Sequence, residues 1–259
     1  MPRAVSNSFN KGAICFLRTG RRFLICHSFA INECYRSLLL SISTTNLFIW
    51  RFDLDRVMAL WCTIRTFVKH AEELGNQQPV EPIFFVKPLN CITTESPLNI
   101  SQHPGEVHHE IECVIRLGNN LQVEAVAVGL DLTDRAAQSI CREQQLPWAK
   151  GKCFTNSAVM GPFSDWAGDI HSLVDESEGL ALVLTVNGKI VQQAPLSQMS
   201  ITPSMQIDAL QQWAPVCSGD YLFTGTPAGV GQLHVGDQLV AILQTIDGRS
   251  VSRFEANCV

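Results

Sequence analysis

From residue 55 onward the apolar positions come in short runs separated by Gly, Pro, Asn and Asp, and each run predicts an element. VMALWC (57–62) predicts a buried strand, and RTFVKHAEELG (65–75) a short helix closed by Gly75. PIFFVKP (82–88) predicts an apolar strand bounded by prolines. EVHHEIECVIRLG (106–118) reads as a strand to Leu117, followed by GNN, and VEAVAVGLDLT (123–133) as a second apolar strand. TDRAAQSICREQQLPW (133–148) has helical spacing ahead of Pro147, with Thr133 as its expected cap. LALVLTVNGKIVQQ (180–193) alternates about Asn187-Gly188, a hairpin signal. TPSMQIDALQQWAPV (202–216) predicts a helix with Pro203 in its first turn, and residues 218–254 a run of short strands broken by Gly-Asp and Asp-Gly turns. No regular alternation of strand and helix is present, so the expected class is α+β, mostly β, with a few short helices.

Composition narrows the partners. Among 259 residues 17% are charged and the net charge is −5, so no broad basic field is available for nucleic acid or an anionic membrane. An anionic substrate would need a cation in the site to receive it. The ten cysteines fall singly, without CxxC pairs, which predicts reduced thiols and a cytoplasmic protein. The apolar stretch SLLLSISTTNLFIW is interrupted by Ser, Thr and Asn, so no membrane span is expected. Ahead of Arg51, Arg3, Lys11, Arg18, Arg21, Arg22 and Arg36 face the single acid Glu33. Residues 1–56 are therefore expected to be an atypical, poorly ordered extension, and residues 57–259 the working domain.

Candidate chemistry begins with Glu110 and Glu112. At strand period two they share one face, with Cα atoms about 7 Å apart, close enough for both side chains to reach one cation. Asp131 follows the apolar VAVGL and so emerges from a strand beside them. Three carboxylates with no lysine in the same runs suit a hard cation such as Mg²⁺ or Mn²⁺. His109 falls on the face opposite the glutamates and reads as a hydrogen-bonded packing residue. His70 and Glu73 lie three apart on the predicted helix, the spacing for a carboxylate that orients a basic imidazole, although a surface pair has the same spacing. TGTPAGVG (224–231) leaves backbone N–H groups and hydroxyls to meet an anionic group, but lacks the lysine and helix of a phosphate loop.

Taken in order, PIFFVKP, HHEIE, GLDLTDRAAQ, LPWAKGKCF and TGTPAGVG resemble the fumarylacetoacetate hydrolase family over residues 55 to 254, especially its small acylpyruvase and oxaloacetate-acting branch. The resemblance implies the family's mixed β-roll, built into a homodimer. It implies Mg²⁺ or Mn²⁺ held by Glu110, Glu112 and Asp131. It further implies a substrate pocket lined by Arg135, Gln138 and Lys152, a substrate carboxylate met by Thr226, and a proton moved by His70 with Glu73. Lys152 would also stabilise enolate charge.

The expected activity is hydrolysis of a C–C bond in acylpyruvate-type 2-oxo acids, giving pyruvate and a carboxylic acid. Oxaloacetate decarboxylation or tautomerisation and 2-oxo-alkenoate hydration are the same-fold alternatives. An impaired relative that only binds 2-oxo acids is the alternative of another class. One departure stands out: where members carry Gly-Arg-Asn-Tyr, this chain has Ile64, Arg65, Thr66 and Phe67. Loss of that glycine is expected to remove easy access to positive φ there.

Overall fold

The computed structural model describes residues 58–259, apart from 74 and 76, together with an antiparallel pair of strands, β1 (Cys15–Thr19) and β2 (Arg22–Cys26). The chain divides into two units, 1–57 and 58–259. Beyond those two strands, the extension expected over 1–56 lies outside the described residues.

In the second unit the strands are β3 (Leu60–Ile64), β4 (Ile83–Lys87), β5 (Ile92–Thr93), β6 (Val107–His109), β7 (Ile111–Leu117), β8 (Val123–Asp131), β9 (Thr133–Asp134), β10 (Ala158–Met160) and β11 (Ser164–Asp165). They continue with β12 (Leu180–Val186), β13 (Lys189–Pro195), β14 (Tyr221–Phe223), β15 (Gly231–Gln232), β16 (Gln238–Thr245) and β17 (Ser250–Asn257). The α-helices among the described residues are α1 (Val68–Glu73), α2 (Arg135–Glu143), α3 (Ala149–Lys152) and α4 (Pro203–Trp213). This is the mostly-β class that the punctuated apolar runs predict.

One sheet runs in the order β4-β3-β14-β7-β8-β10-β5, with β11 also on β8; a second runs β13-β12-β16-β17, and a third β15-β6-β9. β7 and β8 are apolar almost throughout because both faces are covered, and every residue of β8 except Glu124 is buried. The second sheet alternates instead. Leu180, Leu182 and Leu184 of β12 and Leu239, Ala241 and Leu243 of β16 point inward onto β7 and β8. The Ser252 hydroxyl of β17 accepts from Val128 N–H at 3.0 Å and donates to the Pro162 carbonyl, stitching the two layers. The Asn187-Gly188 hairpin forms as expected, with φ of 52° and 77°.

Several local expectations shift by a residue or two. α2 is capped by Asp134, whose carboxylate accepts from Ala137 N–H at 2.9 Å, rather than by Thr133. The Thr133 hydroxyl is engaged elsewhere, donating to the Asp131 carbonyl. α1 starts at Val68 because Arg65 takes a left-handed φ of 57° and Phe67 bridges to Met199. The left-handed residue is thus Arg65, not Ile64, which ends β3 in ordinary strand pairing with Ile83. β4 inverts the usual rule: Ile83 and Val86 are exposed, while Lys87 is buried.

Candidate active site

The register of β7 on β8 assembles the acids. Ile111 pairs with Leu130, and Asp131 N–H donates to the Glu110 carbonyl at 2.9 Å, so the end of β8 meets the junction of β6 and β7. One carboxylate oxygen each from Glu110, Glu112 and Asp131 then lies within 4.8 Å of the others, and all three residues are buried. The period-two argument for the glutamates and the placement of Asp131 on a neighbouring strand describe this geometry.

The positive charges come from outside those runs. Lys152, at the end of α3, donates to Glu110 Oε2 (2.8 Å), Asp131 Oδ2 (2.6 Å) and Thr133 Oγ1 (2.7 Å). Those three bonds use all of its N–H donors. Arg135, on the first turn of α2, reaches Glu110 Oε1 at 2.5 Å and Gln138 Oε1 at 2.7 Å. Lys87 donates to the carbonyls of Leu132 and Ser157 and stands 2.6 Å from Asp131 Oδ1. Lys87 was not singled out from the sequence, although a lysine ending an otherwise apolar strand was the available signal.

This charge set polarises the acids unequally. Burial pushes the Glu110 carboxyl up, but Lys152 and then Arg135 outweigh it and hold it at about 2. Glu112 goes the other way: burial first, then the Asp131 and Glu110 charges, raise it well above the ordinary carboxylate range. The nearby Lys152 charge and a hydrogen bond from the Gly225 N–H at 2.6 Å work the other way without overcoming this. For Lys152 burial works against the proton, yet Asp131 and Glu110 more than compensate and raise its affinity for it.

Whether these residues fit a divalent cation is decided by their unmet needs. Asp131 Oδ1 is buried yet accepts no hydrogen bond, the approach of Lys87 being misdirected. Glu112 sits against two other carboxylates without a cationic side chain bonded to it. A hard, oxygen-seeking ion among the three would answer both, so the donor set fits.

Above the acids, the His70 imidazole is buried and its Nδ1 lies 3.2 Å from Glu73 Oε2. Glu73 also accepts from Gly229 N–H at 3.0 Å and 3.2 Å, tying α1 to the TGTPAGVG loop. That loop was expected to offer its backbone N–H groups to an external anion; two of them, from Gly225 and Gly229, meet the chain's own Glu112 and Glu73 instead. Glycine is required at 225: φ is 97°, and a Cβ there would stand 2.1 Å from Thr66 Oγ1.

Thr226 is positioned by Gln192, a second residue not singled out from the sequence. Gln192 Nε2 donates to Thr226 Oγ1 (2.9 Å) and the Pro227 carbonyl (2.8 Å), while its Oε1 accepts from Ile111 N–H (3.1 Å). The amide orientation is therefore fixed at both ends, and His109 Nδ1, 2.9 Å from the same Oε1, must carry a hydrogen. His109 is thus the hydrogen-bonded packing residue expected of its face. With Gln192 filling an acceptor site of Thr226, the threonine hydroxyl donates only a long bond to the Pro227 carbonyl, 3.5 Å, which a better-placed acceptor in the cleft can replace.

Thr63, Ile64, Arg65, His70, Arg142, Trp148 and Thr226 line one cleft together with Glu110, Glu112, Asp131, Arg135, Gln138 and Lys152. Every residue proposed from the sequence lies on this cleft except Glu73, which reaches it through His70.

Residues 59–250 match the family model described as fumarylacetoacetate (FAA) hydrolase, C-terminal. The chain is 32% identical over 205 residues to oxaloacetate tautomerase YcgM of Escherichia coli, covering 74% of this chain and 89% of that protein. It is 29% identical over 191 residues to oxaloacetate tautomerase FAHD1, mitochondrial, of Bos taurus, covering 70% and 84%. Among solved structures, fumarylpyruvate hydrolase from Pseudomonas aeruginosa in complex with Mn²⁺ and pyruvate superposes with a TM-score of 0.67 at 28% identity, covering 78% of this chain and 90% of that one. A protein of Oleispira antarctica described as a putative fumarylacetoacetate isomerase/hydrolase gives 0.71 at 29% identity, covering 78% and 93%.

Proposed function

The chain belongs to the fumarylacetoacetate hydrolase family, and on that basis we propose that it is a divalent-metal-dependent enzyme of small 2-oxo acids, acting on oxaloacetate as tautomerase or decarboxylase. The observation that carries this reading is the cleft itself, in which three converging buried carboxylates lie beneath a buried imidazole backed by Glu73.

Glu110, Glu112 and Asp131 would hold Mg²⁺ or Mn²⁺. When bound, such an ion supplies a Lewis acid for the adjacent keto and carboxylate oxygens of a 2-oxo acid. Lys152, held protonated and fully hydrogen-bonded, serves as a fixed positive charge that keeps Glu110 and Asp131 together. With its three N–H bonds made inside the protein, its part in stabilising enolate charge is electrostatic. Thr226 donates its hydroxyl hydrogen to a carboxylate oxygen of the substrate, its oxygen anchored by Gln192. For tautomerisation His70 takes a proton from the carbon between the two carbonyl groups and delivers it to the keto oxygen, Glu73 orienting the ring through Nδ1.

Hydrolysis of acylpyruvates is the second reading. The same imidazole could instead take a proton from water, and the likeness to a fumarylpyruvate hydrolase favours it. We carry the homodimer and the cytoplasmic location as part of the proposal. The seven cysteines of residues 58–259 are all free, five of them buried, which accords with a reducing compartment; sedimentation velocity tests the dimer.

The deciding experiment follows the enol absorbance of oxaloacetate, and in parallel of acetylpyruvate, with Mn²⁺ or EDTA. Loss of enol signal that EDTA and His70→Asn both abolish is the expected result for oxaloacetate. Decay indifferent to EDTA would refute the metal-dependent reading. Acetate released from acetylpyruvate, with oxaloacetate untouched, would favour the hydrolase.

A further inference from the structure

α1 carries His70, yet it has little of its own to hold it over the acids. It is six residues long, and only His70 and Ala71 of its side chains are buried. A helix of under two turns is not stable by itself, so its placement depends on what grips its two ends. The far end is gripped by the Gly229 N–H on Glu73. The near end is gripped by a residue from beyond the helix, Gln78.

Gln78 Nε2 donates to the Arg65 carbonyl at 2.8 Å and to Ser200 Oγ at 2.5 Å. Ser200 Oγ carries the connection on, donating to the Thr66 carbonyl at 3.1 Å, and Ser200 N–H donates to the same carbonyl at 2.9 Å. Gln78 is thereby fastened across to residues 65 and 66. This closes the neck of the excursion that leaves β3, runs through α1 and returns to β4.

Arg65 is left-handed, with φ of 57°, a conformation that persists in a residue bearing a side chain where its neighbours over-determine it. The Gln78 bond is made to that residue's own carbonyl. Both amide hydrogens of Gln78 are used, while its Oε1 is buried and accepts nothing among the described residues. An unmet buried acceptor is unfavourable, so what Gln78 contributes at this position is its two donations. Gln78 does not line the cleft, and Lys152 and Arg135 hold the acids from α3 and α2, so the neck can loosen while the acids stay together.

We propose that Gln78 is a positioning residue for His70: by clasping the neck of the α1 excursion it fixes the imidazole over the acids, and it acts on proton transfer from outside the cleft. The effect on turnover rests on the reading of His70 as the proton carrier. The clasp itself does not.

Gln78→Met keeps the length of the side chain and removes both donations, whereas Gln78→Lys restores donors. In the Met variant, hydrogen exchange of α1, followed by mass spectrometry on the full chain, should quicken about tenfold while β7 and β8 keep their rates. With Mn²⁺, kcat for loss of oxaloacetate enol should fall about tenfold, KM and Mn²⁺ affinity should each change by less than about twofold, and the Lys variant should recover part of the loss. Unchanged α1 exchange in the Met variant would overturn the clasp. Faster exchange throughout the sheets with weaker Mn²⁺ binding would make Gln78 a general stabiliser and overturn the positioning role, as would faster α1 exchange with kcat intact. If the unaltered chain turns over neither oxaloacetate nor acetylpyruvate, the proton-carrier reading of His70 falls, and α1 exchange still decides the clasp.

Discussion

Lys87 shows how a charge can be stored in an apolar strand. Its ammonium donates to the carbonyls of Leu132 and Ser157 and stands beside Asp131, so Lys87→Met takes a donor from two buried carbonyls and a buried positive charge from Asp131. The expected loss is about 3 kcal/mol, read as a lower midpoint in urea. Gln192→Leu removes the amide that anchors Thr226. Steady-state kinetics should show KM raised about tenfold, with a smaller effect on kcat. The acids make opposite pH contributions. Glu110 is held low, so its stabilisation is complete above the ordinary carboxylate range and is lost as pH falls toward about 2. Glu112 is held high, so its protonated form favours the fold below that range, and this contribution is lost as pH rises through the raised value. Glu112→Gln should therefore raise the Tm of metal-free protein at neutral pH and abolish the further rise that Mn²⁺ gives the unaltered chain. A thermal melt with and without Mn²⁺ measures both.

The turn from β3 into α1 is where sequence reasoning placed a backbone requirement one residue early. Ile64 pairs with Ile83 as the last residue of its strand, so Ile64→Gly should destabilise by about 1 kcal/mol instead of relieving strain, as chemical denaturation would show. Gly225→Ala should be far worse. It puts a Cβ into Thr66 Oγ1 at a φ of 97°, beside the N–H that holds Glu112, and should lower both the denaturation midpoint and Mn²⁺ affinity. Elements with strong local signals were legible: the Asn187-Gly188 hairpin, α4 behind Pro203, and the doubly buried runs of β7 and β8. The cap of α2 was not, because Thr133 and Asp134 are both competent caps. Only the pull of Lys152 on the Thr133 hydroxyl, fixed by tertiary structure, separates them.

The layered arrangement explains why strand spacing alone paired the glutamates, while Lys152 was placed only by the family resemblance and Lys87 and Gln192 were not singled out. Glu110 and Glu112 are two residues apart on one stretch, so strand periodicity alone brings them together. Lys87, Lys152 and Gln192 reach the same place from β4, α3 and β13, across separations of 44, 21 and 81 residues from Asp131, Asp131 and Ile111. No local pattern encodes such meetings; they follow from sheet order. One consequence concerns the life of the protein before it meets a cation. Lys87, Lys152 and Arg135 already pair with Glu110 and Asp131, and Glu112 is pushed toward its neutral form, so the apoprotein is internally counter-ioned, unlike small domains that collapse only around their metal. Synthesis and metal loading can then be separate events. A chain made during metal scarcity would wait folded and be activated by the ion on arrival.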